Sequence, residues 1–224
     1  MTFSIVARCP ATGMFGLAIS SSSPAVAARC AHARAGIGAV ATQNVTDPSL
    51  GPRALELMAT GSSARQAIDA IVASRPHIEY RQLIAVDRQG TTAAFSGMRA
   101  LGIHAVAEGE SAVAAGNLLA NPGVPQAMIT GFAAAAGHLG DRLLVAMKSG
   151  VTAGGEAGPI HSAGLLLVDR VSWPIADLRV DWAESDPIEK LAALWSIYHP
   201  QLEDYVNRAL DPTRAPSFGV PGDE

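Results

Sequence analysis

Strand-like and helix-like segments come in groups along this chain rather than in alternation, and that grouping limits its fold most. Residues 2–8 (Thr-Phe-Ser-Ile-Val-Ala-Arg) carry β-branched and aromatic side chains in weak alternation and read as a strand. Pro10-Ala11-Thr12-Gly13 reads as a turn, its glycine suited to positive φ, and residues 15–20 return as a second strand. A third apolar strand is expected over residues 36–43. Helical spacing then takes over. Residues 52–60 set Leu55, Leu57 and Met58 on one side, and a second helix, capped by Ser62 or Ser63, carries Ala67, Ile68, Ile71 and Val72 until Arg75-Pro76 ends it. Strands resume at 82–87 and 91–96 around Arg88-Gln89-Gly90, with a short one at 103–107. Residues 124–136 and 139–148 form another helical pair, followed by a glycine-rich loop at 150–159. The apolar run 162–169 reads as a central strand and 174–180 as a further one; 187–198 and 202–210 are the last helices. This order does not suit βαβ units. It predicts an α+β fold, antiparallel sheets covered by helix pairs. Residues 1–210 read as one domain, and 211–224, rich in Pro, Gly and charge, as a loose tail.

Composition supports a folded chain and narrows its partners. Hydrophobic residues make up 49% and charged residues 16% of the 224, enough apolar material for a sizeable core and far from the profile of a disordered chain. The net charge of −4 supplies no electrostatic footprint for nucleic acid and no basic face for anionic lipid. No run of eighteen or more apolar residues suggests a membrane span, and residues 1–10 do not read as a signal peptide. Cys9 and Cys30 are too few for a disulfide framework, so the expected setting is the cytoplasm, with reduced thiols. Low charge and Ala-rich helices suggest a homo-oligomer.

The familiar catalytic motifs do not occur. There is no HExxH, no CxxC pair, no Asp-rich calcium loop, no dinucleotide fingerprint after the first strand and no Gly-x-Ser-x-Gly elbow. The six histidines are scattered, and no metal or organic cofactor is expected. Thr2 remains. Methionine is commonly trimmed before a small residue, which would leave Thr2 with a free amine at the head of a strand. A hydroxyl is a poor nucleophile until a base takes its proton, and a terminal amine is such a base for its own Thr. The α-amine titrates at roughly 7.7–8.0, close to the working pH at which general bases act best.

Several blocks, taken in order, resemble the DUF1028 family. They are the opening residues 2–8 with the turn and Gly16-Leu17-Ala18-Ile19-Ser20, then Ala35-Gly36-Ile37-Gly38-Ala39-Val40-Ala41-Thr42-Gln43. Gly51-Pro52-Arg53, Tyr80-Arg81-Gln82-Leu83, Ala94-Phe95-Ser96-Gly97, Gly116-Asn117-Leu118-Leu119-Ala120, and Gly154-Gly155 with Ser162-Ala163 follow. The resemblance spans roughly residues 2–200. It implies the fold of the N-terminal nucleophile (Ntn) hydrolases, a four-layer αββα sandwich with two antiparallel sheets between helix layers. It supplies a chemical class, amide hydrolysis, and no substrate.

Carried onto this chain, the resemblance makes Thr2 the nucleophile. Arg34, just before the expected third strand, either supports it or is a solvated strand-end charge. Ser20 to Ser23 are either polar neighbours of the nucleophile, Ser20 orienting it and Ser22 touching substrate, or a turn. Asn117 either donates to a tetrahedral oxyanion, where one such donor is worth ~10²–10³ in rate, or stabilises a turn. The loop around Glu156 departs from the commoner family pattern: it keeps the acid, lacks the basic residue and has His161 where Gln is usual. Glu156 and His161 either shape a substrate pocket or belong to a polar loop. Two functional readings follow. One is hydrolysis of a small amide-type C–N bond by Thr2; the other is a non-catalytic binding or assembly protein on the same scaffold, in which Met1 stays and Thr2 is an ordinary strand residue.

Overall fold

A computed structural model of the chain describes residues 1–222. Its elements run β1 (Thr2–Arg8), β2 (Phe15–Ser21), α1 (Val26–Cys30), β3 (Ala31–Arg34), β4 (Gly38–Asn44), α2 (Leu50–Ala59) and α3 (Ala64–Ser74). Then come β5 (Arg81–Asp87), β6 (Thr92–Ser96), β7 (Ala105–Gly109), β8 (Ala112–Asn117), α4 (Val124–Ala134) and α5 (Leu139–Thr152). The described chain finishes with β9 (Ser162–Val168), β10 (Ala176–Val180), α6 (Pro187–Tyr198) and α7 (Leu202–Leu210). Beyond Leu210, Arg208 reaches the Pro216 carbonyl and lies over the Phe218 ring.

The strands build two sheets with antiparallel pairing throughout. One has six strands in the order β10-β9-β2-β1-β8-β7, the other four in the order β3-β4-β5-β6. Each two-residue alternation sends its side chains to one of two clusters. Phe3, Ile5 and Ala7 of β1 pack with Leu165 and Leu167 of β9 against Met128 and Phe132 of α4, Leu143 and Met147 of α5, and Leu191 of α6. The opposite row, Val6 with Leu17, Ile19, Val113 and Leu166, meets Ala39, Ala41, Ile84 and Val86 from the second sheet. The far side of that sheet, Val40, Leu83 and Ala85, packs on Leu50, Met58, Ile68 and Ile71 of α2 and α3. Local chemistry marks three of the helix starts. Ser63 and Gln66 form a reciprocal capping box at α3, and Pro stands in the first turn of α4 and α6.

The expected elements appear, and α1, β3 and β8 stand beside them unexpected. The third strand begins at Gly38 and is preceded by a single helical turn, α1, and by β3, which pairs back onto it. β8 lies between β1 and β7, in a stretch where no strand was expected. Both unexpected strands are Ala-rich and poor in β-branched residues, so local pattern does not announce them. The 162–169 run is held on both sides, by β2 and β10. The helix expected over 139–148 continues to Thr152 and stops where Gly154 and Gly155 take φ of 120° and 60°.

Candidate active site

The row between the sheets is apolar along most of its length and turns polar at one end. Along β1 it reads Val6, Ser4, Thr2; along β2, Leu17, Ile19, Ser21; along β8, Val113, Ala115, Asn117. The second sheet does the same, with Ala39, Ala41, Gln43 on β4 and Val86, Ile84, Gln82 on β5. Register sets Thr2 directly between Ser21 and Asn117. All of these polar groups are buried, Thr2 at 5% exposure and Gln43 and Gln82 at none.

Buried polar groups need partners, and here they find one another. Ser4 Oγ donates to Gln43 Oε1 at 2.7 Å, and Gln43 Nε2 donates to Gln82 Oε1 at 2.8 Å. Gln82 Nε2 donates to Ser96 Oγ at 3.0 Å and the Gly116 carbonyl at 3.1 Å. Asn117 Nδ2 donates to Gln82 Oε1 at 3.2 Å. Each amide's orientation follows from its neighbour's, so Asn117 Oδ1 is the atom left without a partner. The free oxygen of Asn117 is an acceptor, beside the donor or turn-stabilising role that the sequence leaves open.

A second chain of polar contacts runs along the edge of β2. Thr2 Oγ1 lies against the Met1 carbonyl and 3.3 Å from Ser21 Oγ. Ser21 Oγ also donates to the Met1 carbonyl and sits 2.9 Å from Ser23 Oγ, to which Arg29 Nη2 donates at 3.0 Å. Arg29 is held by the Pro24 and Ala25 carbonyls. It is a basic residue that α1 brings to the β2 side of this end.

Glu156 closes the site. Leu118 takes φ of 50°, which turns the chain after β8 so that Leu119 bridges to Glu156. Hydrogen bonds from Ala120 N–H to the Gly155 carbonyl and from Ala157 N–H to the Leu118 carbonyl fix this loop. Glu156 Oε2 accepts from the Ser22 backbone N–H at 3.2 Å, and Oε1 has no partner. Burial pushes its carboxyl up to about 8, against the opposing pull of the chain's amino terminus and of Ser22. His161 donates its backbone N–H to the Ser21 carbonyl, and its Nδ1 lies 2.8 Å from the Ala183 carbonyl. Its ring stacks on Trp182 at 4.3 Å.

Thr2, Asn117, Ser22, Glu156 and His161 thus gather at one end of the first sheet. Two expected site residues do not. Ser20 is in register with Phe3 on the helix-facing row and donates to the Ser162 carbonyl, because side chains one residue apart on a strand face opposite ways. Arg34 is exposed opposite Gly38, five residues along β4 from Gln43, roughly 17 Å at the usual strand rise. The hairpin β3–β4 carries it to the other end of the sheet. Sequence reasoning covers Ser21 and Ser23 only within the Ser20–Ser23 run and does not single out Arg29, Gln43 or Gln82 as site residues. The signal available for the two glutamines was an amide standing in an otherwise apolar period-two row.

Among the described residues no three His, Cys, Asp or Glu side chains gather as a metal-ligand set, and no helix is long and apolar enough to cross a membrane. The fold and this site define an α+β protein of two antiparallel sheets with a polar, amide-rich end between them. The chain belongs to the family of unknown function DUF1028, whose model matches residues 2–191. It is similar to the crystal structure of protein SPO2555 from Silicibacter pomeroyi, a DUF1028 protein, at 29% identity and TM-score 0.85 over 91% of this chain and 89% of that one. Anbu (ancestral beta-subunit) from Yersinia bercovieri aligns over 91% of this chain and 97% of its own, at 9% identity and TM-score 0.38. No curated protein matches.

Proposed function

We propose that the chain is an Ntn-type amidohydrolase, cleaving a small amide-type C–N bond with Thr2 once Met1 is removed, on a four-layer αββα scaffold. The three apolar clusters, helices on sheet, sheet on sheet and sheet on helices, support the layering. The observation that carries the chemistry is the row of three: Thr2 at the head of β1, flanked in register by Ser21 and Asn117 at the polar end of the inter-sheet face.

In this reading Thr2 Oγ1 attacks the carbonyl carbon while the Thr2 α-amine takes the hydroxyl proton. The collapse of the tetrahedral intermediate expels an amine that receives that proton, leaving an ester on Thr2. Water then attacks the ester, the α-amine again acting as base, and Thr2 Oγ1 leaves with a proton. Arg29, through Ser23 and Ser21, presents a line of donors to Oγ1 when the Met1 carbonyl no longer occupies Ser21. Asn117 Oδ1 accepts an N–H from the α-amine or the substrate amide, and the second N–H of Nδ2 remains for the oxyanion. No metal or organic cofactor enters any step.

The second reading, a binding protein on this scaffold, keeps Met1, whose carbonyl then engages both Thr2 Oγ1 and Ser21 Oγ and whose side chain lies beside Gly158. Intact mass of the untagged protein, before and after incubation with reactive amides and β-lactones, separates the two. Hydrolysis predicts loss of Met1 and a single adduct on Thr2, abolished in Thr2→Ala. Met1 retained with no adduct would leave the binding reading standing alone.

A further inference from the structure

Glu156 is the buried acid for which the proposed hydrolytic steps have no use, and its place in the sheet is specific. β2 and β8 flank β1, and both continue past its first residue. Ser22 follows Ser21 on one side and Leu119 follows Asn117 by two residues on the other. Glu156 is tied to both continuations, by the Ser22 N–H and by the Leu119 bridge. It therefore lies between the continuations of β2 and β8, at the end of the sheet where Thr2 heads β1. Gly155 is buried behind it, and Gly154 and Gly155 supply the positive φ that brings the loop there.

The other titratable groups facing this end are committed elsewhere. Arg29 on α1 is held by Pro24, Ala25 and Ser23, and the His161 ring, at the start of β9, by the Ala183 carbonyl and Trp182. The cation whose field reaches Glu156 is the amino terminus of Met1, one residue before the amine that Thr2 presents once Met1 is removed. One carboxyl oxygen is bound to Ser22 and the other is unpartnered in a site at 5% exposure, which is the arrangement of an acceptor awaiting a donor.

We infer that Glu156 is the positioning residue for the α-amine of Thr2: its unpartnered Oε1, once the carboxyl is ionised, accepts an N–H from that amine and aims the nitrogen lone pair at Thr2 Oγ1. The inference rests on the hydrolytic reading above and adds to it the group that orients the base. It reassigns Glu156 from substrate contact to support of the catalytic amine. A carboxyl and an amine joined by that hydrogen bond share their last proton and titrate as a pair rather than as independent sites.

The test reads the amine itself and needs no substrate. The protein is labelled with [15N]threonine, Met1 removal is checked by intact mass, and the 15N shift of the Thr2 amine is followed against pH. The wild type is expected to titrate in two steps, the later at least about one unit above the single step of Glu156→Gln. Glu156→Asp, which keeps the charge one methylene further back, is expected to retain two steps with a smaller gap. A single wild-type step in the ordinary α-amine range overturns the inference without recourse to any variant, as do superimposable wild-type and Gln curves. Those results leave Thr2 as nucleophile intact. Retention of Met1 instead defeats the hydrolytic reading, and the inference with it.

Discussion

Gln82 holds the polar end of the sheet interface together, accepting from Gln43 and Asn117 and donating to Ser96 and the Gly116 carbonyl. Replacing it with Leu strips two buried donors of their acceptor, and each unsatisfied group costs about 1–3 kcal/mol. Gln82→Leu is expected to lose roughly 2–5 kcal/mol in urea unfolding; a loss within error would mean the network contributes nothing. Glu156 makes a second prediction, about pH. Its folded carboxyl keeps its proton to about 8, whereas the unfolded one releases it near the ordinary carboxylate value of 4.5. Between those values the native state binds more protons, so stability contributed by this group is complete below the unfolded value and is lost as pH rises toward 8. Melting temperature against pH should therefore fall less steeply over that window in Glu156→Gln, and parallel curves would contradict the burial argument. At this scale Thr2, Asn117 and Glu156 were readable because their chemistry or their family blocks marked them. Arg29 was not, because its place beside Ser23 depends on α1, a single turn with no local signature; Arg34 looked better placed only in a chain without β3.

Among the elements, helices were the most legible, since periodicity and caps are local. The cap of α3 also draws on a distant residue. Asp87, at the end of β5, accepts from the Ala64 N–H at 2.8 Å through one oxygen and from the Gln89 and Thr91 N–H groups at 3.0 Å through the other. One buried carboxylate thus anchors a helix start and the β5–β6 turn. Ser63→Ala, which removes only the capping box, should cost about 1 kcal/mol. Asp87→Ala removes three charge-assisted bonds and should cost roughly 3 kcal/mol or more by the same denaturation assay. Equal losses would show that the long-range anchor adds nothing. β8 marks the limit of local reading. Ala112–Asn117 is a strand because β1 and β7 hydrogen-bond it from both sides, not because Ala prefers that conformation.

For the whole molecule, the decisive fact is that the first sheet is buried on both faces. Phe3 and Leu17 are each fully buried, yet they face different clusters, helices on one side and the second sheet on the other. Leu17→Ala should cost about 2–5 kcal/mol, the spread depending on how far the two sheets can close on the gap. A cost under 1 kcal/mol would show that the inter-sheet layer is not a close-packed core. The grouping of strands and helices, the antiparallel α+β class, the helix starts and the chemical promise of Thr2 were determined by sequence alone, because each depends on residues within a few positions of one another. Which strands are neighbours, which face Ser20 and Ser21 take, and which arginine reaches the site were decided only by tertiary structure. A strand's register is set by partners more than a hundred residues away, and a shift of one residue sends every side chain to the opposite face. Thr2 stands beside Asn117 for that reason and no local one.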